Sequence, residues 1–533
     1  MNKCMTSFFK SIFVLSLFVA CCFILPAEGQ AATSGLFTYE LKGNGNAVIT
    51  GFDWEHNNGA DIYVPRQLDG YLVTEIGSYA FSTDDPSYFP SFQSDLSINI
   101  DSFYSDDDTL LILPDMGAIA WNRYYNYVPN RSWKKNIGES VVVILPDTIS
   151  VIGEKAFYFT QITSINIPAS VKLIGPGAFA GCEIKQHSVD SNNEVFTTID
   201  GILYNKQTKE LVSAPHGKKS FDKLIVPEGI LSFGEYAFAD CDISDLTLPS
   251  TLMNINKHAF MRSYIQYPIN LENVKVVDDY AFENAQLHSI ISNNIESIGQ
   301  YAFVNASIYS WNENQALVFP SSLKVIGEGA FCGFKEKGGG ITVIDLSKTT
   351  IQALMPYTFF SCEIGRETSP NILLPNTLTR IGSYSFSNIT IGSGDYQYWS
   401  ISIPSSLKYI DNNAFASSNV HISFSPQSNL QVISDQAFFA AVIYTFDEQK
   451  KWDLTFNLSL PSSVRIIGKE AFWAIGIYTL EIPASVTEIG ESVCDRSKTK
   501  LIVTPGSYAA SYASENGFPT SNSGQEDTSW LND

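Results

Sequence analysis

One short pattern recurs along the chain, as in LPSSVRIIGKEAF (Leu460–Phe472) and IPASVKLIGPGAF (Ile167–Phe179). A pattern kept in register over hundreds of residues constrains a fold more than any single motif, because it makes the chain one structural unit copied many times. With the proline as position zero, an aliphatic residue falls at +3 and an aliphatic or aromatic one at +6. Glycine is usual at +7, alanine at +10 and phenylalanine at +11. Ten segments keep this frame, counted from Pro146, Pro168, Pro227, Pro249, Ser292, Pro320, Pro375, Pro404, Pro461 and Pro483. Looser copies end at Phe81, Phe282, Phe359 and Phe438.

Upstream of the proline, positions −3 and −1 are apolar in pairs such as Ile165/Ile167, Leu246/Leu248 and Leu458/Leu460, with Ser289 the one polar residue at −3. Position −4 is mostly polar, so the segment reads as a short strand with one buried face. Proline ends it, having no N–H for a ladder. Glycine at +7 suits a tight turn, and the A-F pair is expected to start a short helical or 3₁₀ segment whose phenylalanine enters the interior. One copy orders about 22 backbones and buries only five or six apolar side chains, too few to offset the entropy, so copies must stack and share a core. The 22-residue steps from Phe157 to Phe179, Phe238 to Phe260 and Phe260 to Phe282 fit such stacking. In-register strands then form a parallel sheet in a solenoid.

The unit LxxIxIPxSVxxIGxxAFxxC resembles the BspA-like leucine-rich repeat of bacterial exported and surface proteins, over roughly Ile62 to Cys494. FTYELKGNGNAVITGF (Phe37–Phe52) is similar to that family's N-terminal cap. IDGILYNKQTKELVSAPHGKKSFDKLIVP (Ile199–Pro227) resembles its hairpin insertion, and GSYAASYASENGFP (Gly506–Pro519) its closing segment. The resemblance implies a curved, right-handed leucine-rich-repeat solenoid of the α/β class, β-rich, with a parallel sheet, about 14 irregular repeats and an N-terminal β cap. It also implies a scaffold used for binding, often adhesion, with no shared catalytic site. The expected organisation is a secretory signal at 1–31, a cap at 35–61 and repeats over 62–505. A hairpin insertion at 189–223 interrupts the repeats, and a closing segment with a polar tail occupies 506–533.

Lys3 and Lys10, an apolar run from Ser11 to Leu25 and the small residues of AEGQAA have the form of a secretory signal. No later stretch is long and apolar enough to span a membrane. The expected location is therefore secreted or cell-surface, as a monomer. A net charge of −22 disfavours nucleic acid and anionic bilayers. Cys182, Cys241 and Cys362 each lie three residues after the repeat phenylalanine, where other copies carry Ala285, Ala306 or Ser418. They read as small buried side chains rather than a disulfide framework. Cys494 takes the phenylalanine's own place in the last copy.

Chemistry-bearing motifs are scarce. The six histidines are scattered, and no H-E-x-x-H, G-x-S-x-G or phosphate-binding loop occurs. No catalytic, cofactor or metal residue is assigned. The acidic stretch Ser82–Thr109 lacks calcium-loop spacing and reads as a solvated insertion. Two features suit a partner. Position −2 of the strand faces outward and is apolar at Tyr63, Ile112, Ile144, Ile225, Ile290, Val318 and Leu373. Such a surface binds a protein or cell-surface ligand, although β-propensity alone also favours these residues. The second feature is a set of aromatic insertions after A-F containing Trp133, Trp311, Trp399 and Trp452. Aligned along one edge they would make a glycan-binding site; the alternative is that each tryptophan covers its own insertion.

Overall fold

A computed structural model describes residues 29–83, 140–217, 221–288, 290–308, 315–336, 341–364, 371–391, 399–425, 427–444, 456–473 and 477–522. The described chain falls into two compact units. The first comprises residues 29–83, 140–182 and 188–196, and the second 183–187 and 197–522.

In the first unit, Ala32–Ser34, Phe37–Leu41 and Ala47–Phe52 form an antiparallel meander. Ala47–Phe52 then pairs in parallel with Tyr71–Ile76, which pairs with Val151–Ile152 and through it with Leu173–Ile174. A second parallel row runs through Ile62–Tyr63, Val141–Ile144, Ile162–Ile167 and Ser188–Val189. The copy ending in Phe81 stacks directly on the one ending in Phe157, their rings 4.8 Å apart, and Tyr63 faces Ile144 across the strands. Among the described residues no copy stands between them. The acidic stretch after Thr83, Ile112 and the insertion around Trp133 lie outside the described residues.

In the second unit each copy of the repeat contributes to parallel rows at more than one place, not only upstream of the proline. One row runs Ser232–Phe233, Asn254–Ile255, Val276–Val277, Ser297–Ile298 and Val325–Ile326, at positions +5 and +6. Another runs Asp242–Ile243, Tyr264–Ile265, Gln286–Leu287 and Ser307–Ile308. The hairpin Ile202–Asn205/Glu210–Ser213 joins the first of these rows through Glu210–Ser213. The core of this unit is continuous from Ile202 to Phe518. The helix Tyr508–Glu515, capped by Ser507, closes on it, and the Tyr512 hydroxyl donates to the Gly490 carbonyl at 3.0 Å.

The A-F segment is not helical. Its N–H groups alternate between two kinds of acceptor. Ala156, Tyr158 and Thr160 donate locally to Gly153, Lys155 and Phe157 at 3.1–3.3 Å. Lys155, Phe157 and Phe159 donate to Pro176, Ala178 and Ala180 of the next copy at 2.9–3.0 Å. Chained turns of this kind need left-handed residues at +9 and +13. Those positions carry positive φ even where they hold Tyr236, Tyr280 or Arg262. Left-handed backbone costs a non-glycine residue roughly 1–2 kcal/mol. Here the inter-copy ladder imposes it.

Position +7 also differs from its expected role. Gly327 and Gly490 are not among the positive-φ residues. A Cβ at Gly327 would lie 2.5 Å from the Gln300 nitrogen, and one at Gly490 2.3 Å from the Lys469 nitrogen. The glycine admits the backbone of the preceding copy rather than a tight turn.

The thiols at +14 do more than fill space. Cys182 Sγ donates to the Phe157 carbonyl at 2.8 Å and Cys362 Sγ to the Phe331 carbonyl at 2.9 Å. Ser418 Oγ makes the equivalent bond to Phe386 at 2.5 Å. Cys362→Ser is therefore expected to melt close to the parent, whereas Cys362→Val loses about 1 kcal/mol with the hydrogen bond. Denaturant curves in which valine is the milder change would refute the donor role.

Two successive copies, those ending in Phe282 and Phe303, break the frame: Ile269 precedes Val274, and Ile290 precedes Ile295, by five residues, where Leu246 precedes Leu252 by six. Leu248 precedes Leu252 by four residues, but Leu271 precedes Val274 by three, and all but the half-buried Leu248 are buried. Deleting one residue between strand and turn flips the strand's parity. Ile269, fully buried, pairs with Ile290, which is half-buried against the core. Ile290 thus faces inward, contrary to its expected outward place, and it takes the interior role expected of position 289.

Candidate recognition face

The outward strand positions are set by the period of two: when −3 and −1 enter the core, −2 meets solvent. Tyr63, Ile144, Ile225, Val318 and Leu373 do so, exposing between 40% and 66% of their surface. In the first unit Tyr63 and Ile144 are direct cross-strand partners, so two large apolar side chains stand side by side. In the second unit the apolar positions are interleaved with polar ones. Ile225 faces Thr247, and Asp345 separates Val318 from Leu373. The row is a series of short apolar patches rather than one continuous strip.

Where polar outward residues are neighbours in the row, several bond to one another. Ser188 donates to Asn166 at 2.7 Å, Ser423 to Ser402 at 3.2 Å, and Ser459 to Glu481 at 2.7 Å. Such side-chain ladders tie copies together and leave fewer groups free for a ligand.

Trp399 does not belong to an exposed aromatic edge. It is fully buried, with its ring 5.6 Å from Phe386 and 6.2 Å from Phe415. Trp399 stands at −5, inside the strand Trp399–Ile403, which gives it the parity of the buried Ile401 and Ile403. Trp311 and Trp452, like Trp133 and Ile112, lie outside the described residues.

Two rows escaped the sequence reading. Leu231 and Met253, at +4, are exposed just before the strands at +5 and +6, and Val325, at +5, is exposed within one. At +9, Tyr236, His258, Tyr280 and Tyr301 stack on one another with centroids 4.7, 5.1 and 5.4 Å apart. Gly329 follows at the same position, where a Cβ would meet the Tyr301 ring at 2.2 Å. An aromatic residue two positions before the repeat phenylalanine was the available signal. Left-handed geometry concealed its meaning, because aromatic side chains seldom adopt it.

Reactive groups are few. Cys241 Sγ lies 3.8 Å from His216 Nδ1. Burial first, and then Asp240 and Asp242, push the thiol well above its ordinary value. It is held protonated at neutral pH and lacks the thiolate a nucleophile needs. Among the described residues no group of three or more His, Cys, Asp or Glu is placed to hold a metal ion.

Among known families, the model of the BspA type leucine rich repeat region matches, with six copies, over residues 131–211, 212–335, 334–453 and 444–522. No curated protein sequence matches the chain. Several solved structures do. A leucine-rich repeat protein from Bacteroides ovatus ATCC 8483 is 17% identical over 86% of this chain and 99% of its own, with a TM-score of 0.37. A leucine rich cell surface protein from Faecalibacterium prausnitzii A2-165 is 17% identical over 95% of this chain and 97% of its own, with a TM-score of 0.33. A leucine-rich repeat protein from Eubacterium ventriosum ATCC 27560 is 13% identical over 80% and 99%, with a TM-score of 0.32.

Proposed function

The chain belongs to the family of BspA-type leucine-rich repeat proteins, and on that premise we propose that it is an exported recognition scaffold without catalytic activity. It acts as a monomer and binds a protein on a cell surface or in a matrix through the outward face of its repeat strands. The observation that carries this reading is the pair Tyr63 and Ile144, adjacent in register and 66% and 44% exposed. A folded chain with a large core gains nothing by leaving a tyrosine and an isoleucine side by side in water. Aromatic residues in such places are the usual anchors of protein interfaces. Export rests on the secretory pattern of residues 1–31. Among the described residues no helix is long and apolar enough to cross a membrane.

The purified protein is to be screened against matrix proteins and whole epithelial cells. With a binding partner in hand, the double variant Tyr63→Asp/Ile144→Asp is expected to bind about tenfold or more weakly, equivalent to about 1.4 kcal/mol, with an unchanged melting curve. Undiminished binding by a folded double variant removes this face from the interaction.

A further inference from the structure

The outward strand row is interrupted where the one-residue slip occurs. Leu224–Ile225 pairs with Leu246–Thr247, and Ile269–Asn270 pairs with Ile290–Ile291, but the two pairs belong to separate sheets. At several places in the row an N–H at the strand end donates to the next copy, as from Val226 to Thr247 at 3.0 Å, Phe319 to Asp345 at 2.9 Å and Leu460 to Glu481 at 3.1 Å, while among the described residues Leu145 and Leu374 make no such bond. Among the described residues no such bond runs from Leu248 to the copy that follows. An unpaired strand edge of this kind accepts a carbonyl from another chain.

A notch of about 200 Å³ opens at this break. It is smaller than the roughly 300–1,000 Å³ typical of small-molecule sites, and its size suits one side chain. Its inner wall is made by the buried Leu246, Leu252 and Val274, and its mouth by the exposed Asn270, Glu272 and Asn273. Among the described residues no lysine or arginine pairs with Glu272. Lys275, three residues on, is engaged by Glu296 at 3.4 Å, which also holds Lys324 at 3.2 Å.

We infer that the notch receives a lysine or arginine side chain from an extended protein segment laid across the outward strand face. The aliphatic stem lies against Leu246, Leu252 and Val274, as such stems do on apolar surface. The cationic head meets the Glu272 carboxylate at the mouth, and the segment's carbonyl accepts from the Leu248 N–H. This names the chemistry of the partner under the function proposed above and rests on that reading. The chain's charge of −22 favours the approach of a basic segment.

The test uses the full chain and two probes, the N-acetyl methylamides of lysine and arginine, with the norleucine analogue as a stem-only control. Methyl NMR follows Leu246, Leu252 and Val274. Expected are saturable shifts at these methyls with both cationic probes and none with norleucine. Binding should weaken about tenfold in Glu272→Gln, as for loss of a charge-assisted hydrogen bond, and fade with added salt. Glu272 is exposed, so the variant's melting curve should overlay the parent. Absent shifts, equal binding by Glu272→Gln, or equal binding by the norleucine probe overturns the proposal. If a partner loses affinity through Tyr63 and Ile144 while the probes fail at the notch, the notch falls and the scaffold reading stands. If the probes bind and the screen yields no partner, the notch stands and the scaffold reading falls.

Discussion

Phe260→Ala is expected to lower the folding stability of the chain by about 3–5 kcal/mol, as for other fully buried phenylalanines cut to alanine. Phe260 has no exposed surface, and its ring is sandwiched between Phe238 at 5.0 Å and Phe282 at 4.9 Å, almost parallel to both. The Phe233 ring meets it edge-on at 5.8 Å. Stacked aromatic contacts add roughly 0.5–1.5 kcal/mol per pair to the burial itself. The site is also poorly able to collapse, because the Phe260 N–H is tied to the Ala281 carbonyl at 2.7 Å and the Phe238 N–H to Ala259 at 2.7 Å. The copies cannot close over the cavity without breaking that ladder. Val325→Ala, at an exposed position of the same unit, is the control and should move the urea midpoint little. If the two variants unfold alike, the phenylalanine ladder is not what holds the copies together.

Acidification from pH 7 to pH 5 is expected to remove about 2 kcal/mol of stability through His187 alone. This imidazole is buried, and its Nε2 lies 3.4 Å from the Ala214 carbonyl. Burial, reinforced by the nearby His216 and opposed by the Ala214 carbonyl, pushes its pKa down to about 3. The folded state therefore refuses a proton that the unfolded chain accepts near pH 6.5. Stability is intact above 6.5 and falls as pH drops from there towards 3, at up to about 1.4 kcal/mol per pH unit. His216 is lowered by burial as well and acts in the same direction. Glu210, raised by burial, acts in the opposite one. The carboxyls held low, such as Glu296 beside Lys324 and Lys275, lose their contribution only below their unfolded value near 4.5. The difference between parent and His187→Leu isolates the histidine. Urea midpoints at pH 7 and pH 5 should lie closer together in the variant, and an unchanged gap would show that His187 is not the acid-sensitive group.

The candidate face was partly legible in the sequence. Tyr63, Ile144, Ile225, Val318 and Leu373 are outward because strand parity follows from the apolar residues beside them. Trp399 failed as an edge residue for the same reason. It stands at −5, inside the strand, and the alternation that buries −3 and −1 sends it inward as well. Ile290 was misplaced by a one-residue deletion, which leaves composition untouched and inverts every side chain of a short strand. The notch follows from that slip. No residue in it is unusual, and its existence depends on two adjacent copies differing in loop length.

What the sequence determined by itself is the repeating unit, its interior and its stacking. A copy with five or six apolar positions has no stable fold alone, so the spacing of Phe238, Phe260 and Phe282 already dictates a shared core. Tertiary structure decided how the turns between strands are built. Alternate N–H groups reach across to the next copy, and that ladder, which no single copy contains, forces left-handed backbone onto Tyr236, Tyr280 and Tyr301. It also decided why position +7 is glycine, since the clash at Gly327 is with the backbone of a neighbouring copy. Local preference governs what a residue does within its own copy. Contacts between copies govern the rest, because the hydrogen bonds and close approaches that fix these residues join positions more than twenty residues apart.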